Sequence, residues 1–138
     1  MKKVLIPGLA AGLVMLIVAM GFGMLLNSAF PSLQAEYDNT ELFRPWDDPL
    51  MSVYFIYPFV LGIALAWAWS KTKDLIKEKK PWKRGIHFAL AFWLVATIPG
   101  MIITYSSFPV SLELTISWSI SSLMQVVCAG LVYSKMNK

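Results

Sequence analysis

The sequence predicts an all-α integral membrane protein, a bundle of four transmembrane helices with the N-terminus and the C-terminus in the cytoplasm. The first observation behind this prediction is the composition, because 57% of the 138 residues are hydrophobic and only 14% are charged. Soluble domains contain roughly 45–50% apolar residues with glycine included and roughly 25% charged residues. Small soluble folds bury the smallest share of their surface, so a chain of this size needs lipid as the solvent for much of it.

The second observation is that four apolar runs are long enough to cross a bilayer. A hydrocarbon core about 30 Å thick requires about 20 residues of helix, and lipid favours helices because they satisfy their own backbone polar groups. The predicted spans are residues 4–26, 50–70, 85–105 and 110–133. They leave a long loop at residues 27–49 and a shorter one at residues 71–84, within a single predicted domain of residues 1–138.

The third observation is the distribution of basic residues. All but one of the 12 lysines and arginines lie in the two terminal segments and in the loop from Lys71 to Arg84. The exception, Arg44, lies in the long loop together with five acidic residues. The positive-inside rule places the basic segments in the cytoplasm. We therefore expect a multi-pass protein of the cell membrane whose long loop faces outward.

The first span follows Lys2 and Lys3, an arrangement that is also typical of secretory signal peptides. Its apolar run of about 23 residues is longer than the 7–15 residues of a signal-peptide core, so we interpret it as a retained span. Small residues recur on roughly one face of this span, at Gly8, Gly12, Ala19 and Gly23. Because small side chains let membrane helices approach closely, this face is predicted to pack within the bundle or, alternatively, at a subunit interface.

The second and third spans each contain a proline. Asp48 and Pro49 precede the second span in the order that is typical of an N-cap and a first helical residue. Pro58 and Pro99 then lie at similar distances from the outer ends of their spans. Proline removes a backbone hydrogen bond and bends a helix, so both are predicted kinks, which together would open an outward-facing cavity. The alternative is that they have no such role, as is common in membrane helices.

The fourth span is the most polar. Its binding candidates recur at helical spacing and are Thr115, Ser119 and Ser122, with Gln125 at the edge of the same face. One hypothesis is a pathway or pocket lined by these groups. The alternative is that the hydroxyls bond to neighbouring helices or to carbonyls of their own helix.

Glu113 lies in the first turn of the fourth span and is the remaining binding candidate. An acid within a membrane span indicates a functional site by default. An acid at a helix N-terminus is also stabilised by the helix dipole, and capping is the alternative interpretation.

The two loops have opposite charge. We expect the long loop to form a partial lid over the helix ends, and its spacing of acids does not match a calcium loop, so no metal site is predicted. The basic loop from Lys71 to Arg84 is expected to contact anionic lipids. His87 is the only histidine, so a bis-histidine haem would need a second chain, and no cofactor is expected.

Known catalytic motifs are missing from the sequence. There is no HExxH zinc motif, no phosphate-binding glycine loop and no GxSxG turn, so no catalytic residue is predicted. The single cysteine, Cys128, excludes an internal disulfide and a two-cysteine redox relay within one chain. The basic residues lie beside apolar runs, which favours membrane orientation over nucleic-acid binding.

Three functional hypotheses remain open. The first is a small-solute or ion pathway formed by a homo-oligomer. The second is an accessory or anchor subunit of a larger membrane complex. The third is a membrane enzyme that modifies lipid. The sequence favours binding or permeation over catalysis.

Overall fold

The computed structural model describes residues 2–137 of the chain, and the secondary-structure elements in this range are all helices. The α-helices are α1 (Lys2–Ala29), α2 (Pro31–Tyr37), α3 (Tyr57–Thr72), α4 (Pro81–Phe92), α5 (Ile98–Ser107) and α6 (Leu112–Met136). Short 3-10 helices, Pro49–Phe55 and Lys73–Leu75, flank α3. A π-helical turn, Trp93–Thr97, joins α4 to α5.

These elements combine into four continuous helical segments. Within residues 2–137, four segments are long and apolar enough to span a membrane: Lys2–Ala29, Pro49–Leu75, Pro81–Ser107 and Leu112–Met136. The predicted number of spans is therefore confirmed, and the ends differ from the predicted ones by only a few residues. The fourth segment begins at Leu112 because Ser111 is its N-cap, with the side chain accepting a hydrogen bond of 3.0 Å from the Leu114 amide.

The structure brings the described basic segments to one end of the bundle, which we call the basic end. There the Asn137 side-chain amide donates to the carbonyl of Lys3 at 3.1 Å, and the Lys73 ammonium donates to the Asn137 side chain at 3.0 Å. The long loop lies at the opposite end, the loop end. Which end faces the cytoplasm stays a prediction, and Lys138 lies outside the described residues.

The segments are arranged with α1 and α6 at the centre. α1 packs against α3 on one side and α6 on the other, and α6 packs in turn against α4 and, over a smaller surface, α5. α3 and α4 approach each other less closely, and their side chains meet where the rings of Trp69 and Phe88 lie edge to face with centroids 5.4 Å apart.

The hydrophobic core is concentrated towards the basic end. Its buried members are Ala11, Met15, Leu65, Ala66, Trp69, Ala89, Val126, Ala129 and Tyr133. In α1 the last buried residue is Met15, near the middle of the helix. Neither the 3-10 helix Pro49–Phe55 nor α5 contributes a buried residue to the described structure. The half at the basic end, the packed half, therefore contains the hydrophobic core, whereas at the loop end α6 buries Leu114, Thr115, Ser117 and Ser119 but α5 and the 3-10 helix bury no residue.

Backbone contact at glycines joins α1 to α3. A Cβ atom added at Gly12 would lie 2.7 Å from the Cα of Phe59, and one added at Gly62 would meet the carbonyl oxygen of Gly8. Such contacts are possible only without side chains, and they give membrane helices their closest packing. The predicted packing role of Gly8 and Gly12 is confirmed.

For Gly23 the prediction of packing within the bundle is wrong, and the alternative of a subunit interface stays a prediction. A Cβ at Gly23 would have no atom of the described chain within 4 Å. The reason is that α3 begins at Tyr57, close to the Pro58 and Phe59 atoms that face Gly12. No α-helical part of the second segment extends far enough towards the loop end to lie opposite Gly23.

A second backbone contact joins α4 to α6. A Cβ added at Gly85 would meet the carbonyl oxygen of Gly130, and a Cβ added at Gly130 would meet the carbonyl oxygen of Gly85. This contact also lies near the basic end. The two glycine contacts therefore join the four segments in two pairs, α1 with α3 and α4 with α6, and packing of α6 against α1 joins the pairs.

Both prolines that were predicted to kink a span lie where the helix changes its geometry. Pro58 is the second residue of α3, which one residue separates from the 3-10 helix, and Pro99 is the second residue of α5, directly after the π-helical turn. A proline ring clashes with the carbonyl four residues earlier, and for Pro99 this residue is Val95, inside the turn. A π-helical turn widens the backbone at that point and accommodates the ring.

Candidate functional site

The long loop folds back over the beginning of α6 through the short helix α2. The carboxylate of Glu36 accepts two hydrogen bonds from Ser111, one from its backbone amide at 2.7 Å and one from its hydroxyl at 2.6 Å. The Ser32 hydroxyl donates to the carboxylate of Glu113 at 3.0 Å. We call these four residues the loop-end clamp.

The loop-end clamp places negative charge where the helix favours it. The first amide groups of an α-helix have no partner within the helix and carry partial positive charge. Glu36 reaches this end of α6 from α2, and Glu113 lies in the first turn of α6 itself, exposed at the surface. The position of Glu113 is the one that the capping interpretation requires.

Three aromatic residues extend the contact between the loop and α6. The Trp118 indole donates a 2.5 Å hydrogen bond to the Tyr37 hydroxyl, and Phe43 lies edge-on to the Trp118 ring with centroids 6.1 Å apart. Burial raises the pKa of Tyr37 above its ordinary value, although the hydrogen bond from Trp118 acts in the opposite direction. Leu33 of α2 is only 2% exposed. The loop therefore covers the end of α6, as a partial lid would.

Two of the predicted binding residues in α6 bond within their own helix. The Thr115 hydroxyl donates to the carbonyl of Ser111 at 2.9 Å. The Gln125 side-chain amide donates to the Ser121 hydroxyl at 3.2 Å, and Gln125 is half-buried. Back-bonding of hydroxyls to the preceding turn is common where a polar side chain lies in an apolar environment.

The other two predicted binding residues meet the third segment at its π-helical turn. The hydroxyls of Ser122 and Thr97 lie 3.1 Å apart, at hydrogen-bond distance. The Trp93 indole donates to the carbonyl of Ser119 at 2.9 Å. The polar face of α6 therefore packs against residues 93–97, and the structure does not join it to Glu113 in one site.

The sequence pattern does not indicate which residues on the other elements contact α6. Thr97 and Trp93 have no periodic pattern that connects them to α6, and Glu36 is one of five acids in its loop. A usable signal was available for the turn itself, since Pro99 disturbs the helix around the residue four positions earlier. For Glu36, the only indication in the sequence was that Ser111 is suited to be an N-cap, because an acid from a loop can bind at such a helix start.

The side chains that could bind a metal or react as a thiol are dispersed in the described structure. Within residues 2–137, no three side chains of histidine, cysteine, aspartate or glutamate lie close enough together to hold a metal ion. Cys128 is half-buried and forms no disulfide. His87 lies 3.7 Å from the carboxylate of Glu78, on the surface near the basic end.

The comparisons with known proteins give no match: no family model, no curated protein and no solved structure is similar to this chain.

Replacing Glu36 by alanine is expected to release α2 from α6. The substitution removes both acceptors of Ser111, and loss of a helix cap costs about 1 kcal/mol. Hydrogen exchange should become faster in residues 31–37 and at the start of α6. Glu41→Ala removes the same charge from the same loop at an exposed position and is the matched control. Equal exchange in the two variants would show that the clamp does not hold the loop.

Proposed function

We propose that the protein is an accessory or anchor subunit of a larger membrane complex, held in the bilayer by four spans with both termini in the cytoplasm. The observation that carries the proposal is the difference between the two halves of the bundle. The core and both glycine contacts lie towards the basic end. The half at the loop end keeps apolar helix surface that the described chain does not cover.

The polar face of α6 supports a packing role over a pathway through this chain. Ser122 is engaged by Thr97, and the Ser119 carbonyl is engaged by the Trp93 indole. A pathway for solutes or ions needs polar groups that face water or the solute. Here these groups hold α6 against the third segment instead.

Open glycines support binding of a partner helix in the loop-end half. A Cβ atom at Gly21, Gly23 or Gly100 would have no atom of the described chain within 4 Å. Apolar side chains that face lipid need no partner, because lipid tails are as apolar as leucine. Close packing of membrane helices depends on small residues, however, so a helix gains contact area at an open glycine.

The charge distribution favours a foreign partner over a second copy of the chain. The long loop carries five acids and one arginine, and the opposite end is strongly basic. Parallel copies would bring like charges together at both ends, and salt screens this repulsion only beyond about 8 Å. A partner with a different sequence avoids it.

An oligomeric pathway remains a second candidate because of one observation. The π-helical turn brings Thr97 to Ser122 within the apolar part of the third and fourth segments, one turn of α6 from Gln125. Turns of this type occur frequently at functional sites. In that case the pathway would lie between copies of the chain.

Native mass spectrometry after gentle solubilisation distinguishes the two candidates. We expect a membrane protein of different sequence at fixed stoichiometry with this chain. Gly23→Leu and Gly100→Leu should each weaken that complex about tenfold or more, since overpacking costs about 1–3 kcal/mol. Neither should lower the thermal stability of the isolated chain, because both faces are open.

Ala64→Leu is the control, because it enlarges an exposed residue of α3 away from the open glycines. A homo-oligomer without a foreign protein would replace the proposal by the oligomeric pathway. Equal loss of the partner in Ala64→Leu would contradict the assignment of the binding surface to the loop-end half.

Accessibility of introduced cysteines tests the proposed orientation. In a Cys128→Ser background, a membrane-impermeant thiol reagent applied to intact cells should label Thr40→Cys and spare Glu78→Cys. After permeabilisation both positions should react. Labelling of Glu78→Cys in intact cells would overturn the orientation, since position 78 belongs to the basic loop.

A further inference from the structure

A groove opens between α3 and α4 on the surface of the packed half, near the basic end. Its volume is about 320 Å3. Its walls are largely apolar and include Leu65 and Ala68 of α3, Ile76 of the loop, and Phe88 and Ala91 of α4.

The polar residues in the lining of this groove are Thr72 and His87. The Thr72 hydroxyl donates to the carbonyl of Ala68 at 2.9 Å, so its polar atom is already engaged. The imidazole of His87 is half-exposed at 3.7 Å from the carboxylate of Glu78. The groove is therefore suited to bind an apolar group, and polar side chains lie at its edge.

Two large rings explain why the groove exists. Trp69, which is 1% exposed, and Phe88 lie edge to face between α3 and α4. They prevent the close backbone approach that glycines allow between α4 and α6. An unfilled gap at this depth would forfeit dispersion contacts along its lining, so a flexible apolar chain stabilises it.

The loop residues that follow the groove in the sequence are basic. Ile76 lines the groove, and Lys77, Lys79 and Lys80 follow it with exposed side chains. Basic residues beside a membrane span attract anionic headgroups.

Acidic residues within the same loop are already close to other groups. Asp74 lies 3.7 Å from the guanidinium of Arg84, and Glu78 lies 3.7 Å from His87. The Lys71–Arg84 loop contains seven basic residues against these two acids. A net positive charge therefore remains at the mouth of the groove.

We propose that the groove and the following lysines bind one anionic phospholipid, with an acyl chain between α3 and α4 and the phosphate at Lys77, Lys79 and Lys80. The apolar lining is complementary to the chain, and the charge is complementary to the headgroup. This inference rests on the proposed membrane insertion and orientation. It is independent of the proposed accessory role, because it concerns the isolated chain.

Lipid binding to the purified chain tests the proposal. The protein is placed in detergent with phosphatidylglycerol or with phosphatidylcholine of the same acyl chains, and native mass spectrometry gives the lipid bound to each molecule. We expect one tightly bound phosphatidylglycerol and a preference of at least tenfold over phosphatidylcholine. Each lysine near the phosphate is expected to contribute about fivefold.

Two sets of variants separate the groove from the charge. Ala91→Phe fills the groove from α4, and Ala68→Phe fills it from the opposite wall, so each should lower binding of both lipids at least tenfold. Ala64→Phe adds the same side chain to an exposed position of α3 outside the groove and should bind as the parent does. Simultaneous replacement of the three lysines by glutamine should abolish the preference for phosphatidylglycerol and retain weak binding of both lipids.

Several results would overturn the proposal. Equal binding of the two lipids by the parent would exclude a headgroup site. Unchanged binding in both Ala91→Phe and Ala68→Phe would show that charge attracts lipid without the groove.

The lipid site and the accessory role fail separately. If the chain binds lipid as expected but purifies without a foreign partner, the lipid site stands and only the accessory role is removed.

Discussion

Two contacts between helix backbones organise the bundle. Gly8 and Gly12 of α1 lie against Gly62 of α3, and Gly85 of α4 lies against Gly130 of α6. In lipid, apolar side chains gain little by leaving the solvent, so helices associate through close packing and interhelical hydrogen bonds. A side chain at any of these glycines would separate the helices and remove the neighbouring contacts. The buried core lies beside both contacts for this reason.

The loop-end half is held by different interactions. There Glu36 and Ser111 join α2 to the beginning of α6, and Trp118 contacts Tyr37. These polar and aromatic contacts fix the loop on α6 but do not close the space beside α5. The hydrophobic core and both glycine contacts therefore lie in the packed half, whereas the open glycines Gly21, Gly23 and Gly100 lie in the loop-end half. The proposed accessory role places a partner helix at the open glycines of the loop-end half, whereas the proposed lipid site is the groove between α3 and α4 in the packed half.

The sequence was sufficient for the features that depend on single helices. The number of spans follows from the length of the apolar runs, because a bilayer requires about 20 residues of helix. The charge of each loop can be read directly from its residues. The packing of Gly12 and the open face of Gly23 were not separable, since the two glycines differ only in what lies opposite. Pairings such as Thr97 with Ser122 join distant parts of the chain. Local periodicity carries no information about such partners, and Glu36 could not be chosen among five loop acids for the same reason.

Replacing Gly12 by alanine, with Gly23→Ala as its matched control, tests most directly whether backbone contact at glycine holds the bundle together. A Cβ at position 12 would lie 2.7 Å from the Cα of Phe59, whereas position 23 is open. Thermal unfolding in the same lipid should show Gly12→Ala destabilised by about 1–3 kcal/mol, the usual cost of overpacking. Gly23→Ala should be unchanged or more stable by up to about 1 kcal/mol, because alanine favours helix over glycine. Equal stability of the two variants, or a greater loss in Gly23→Ala, would contradict this account.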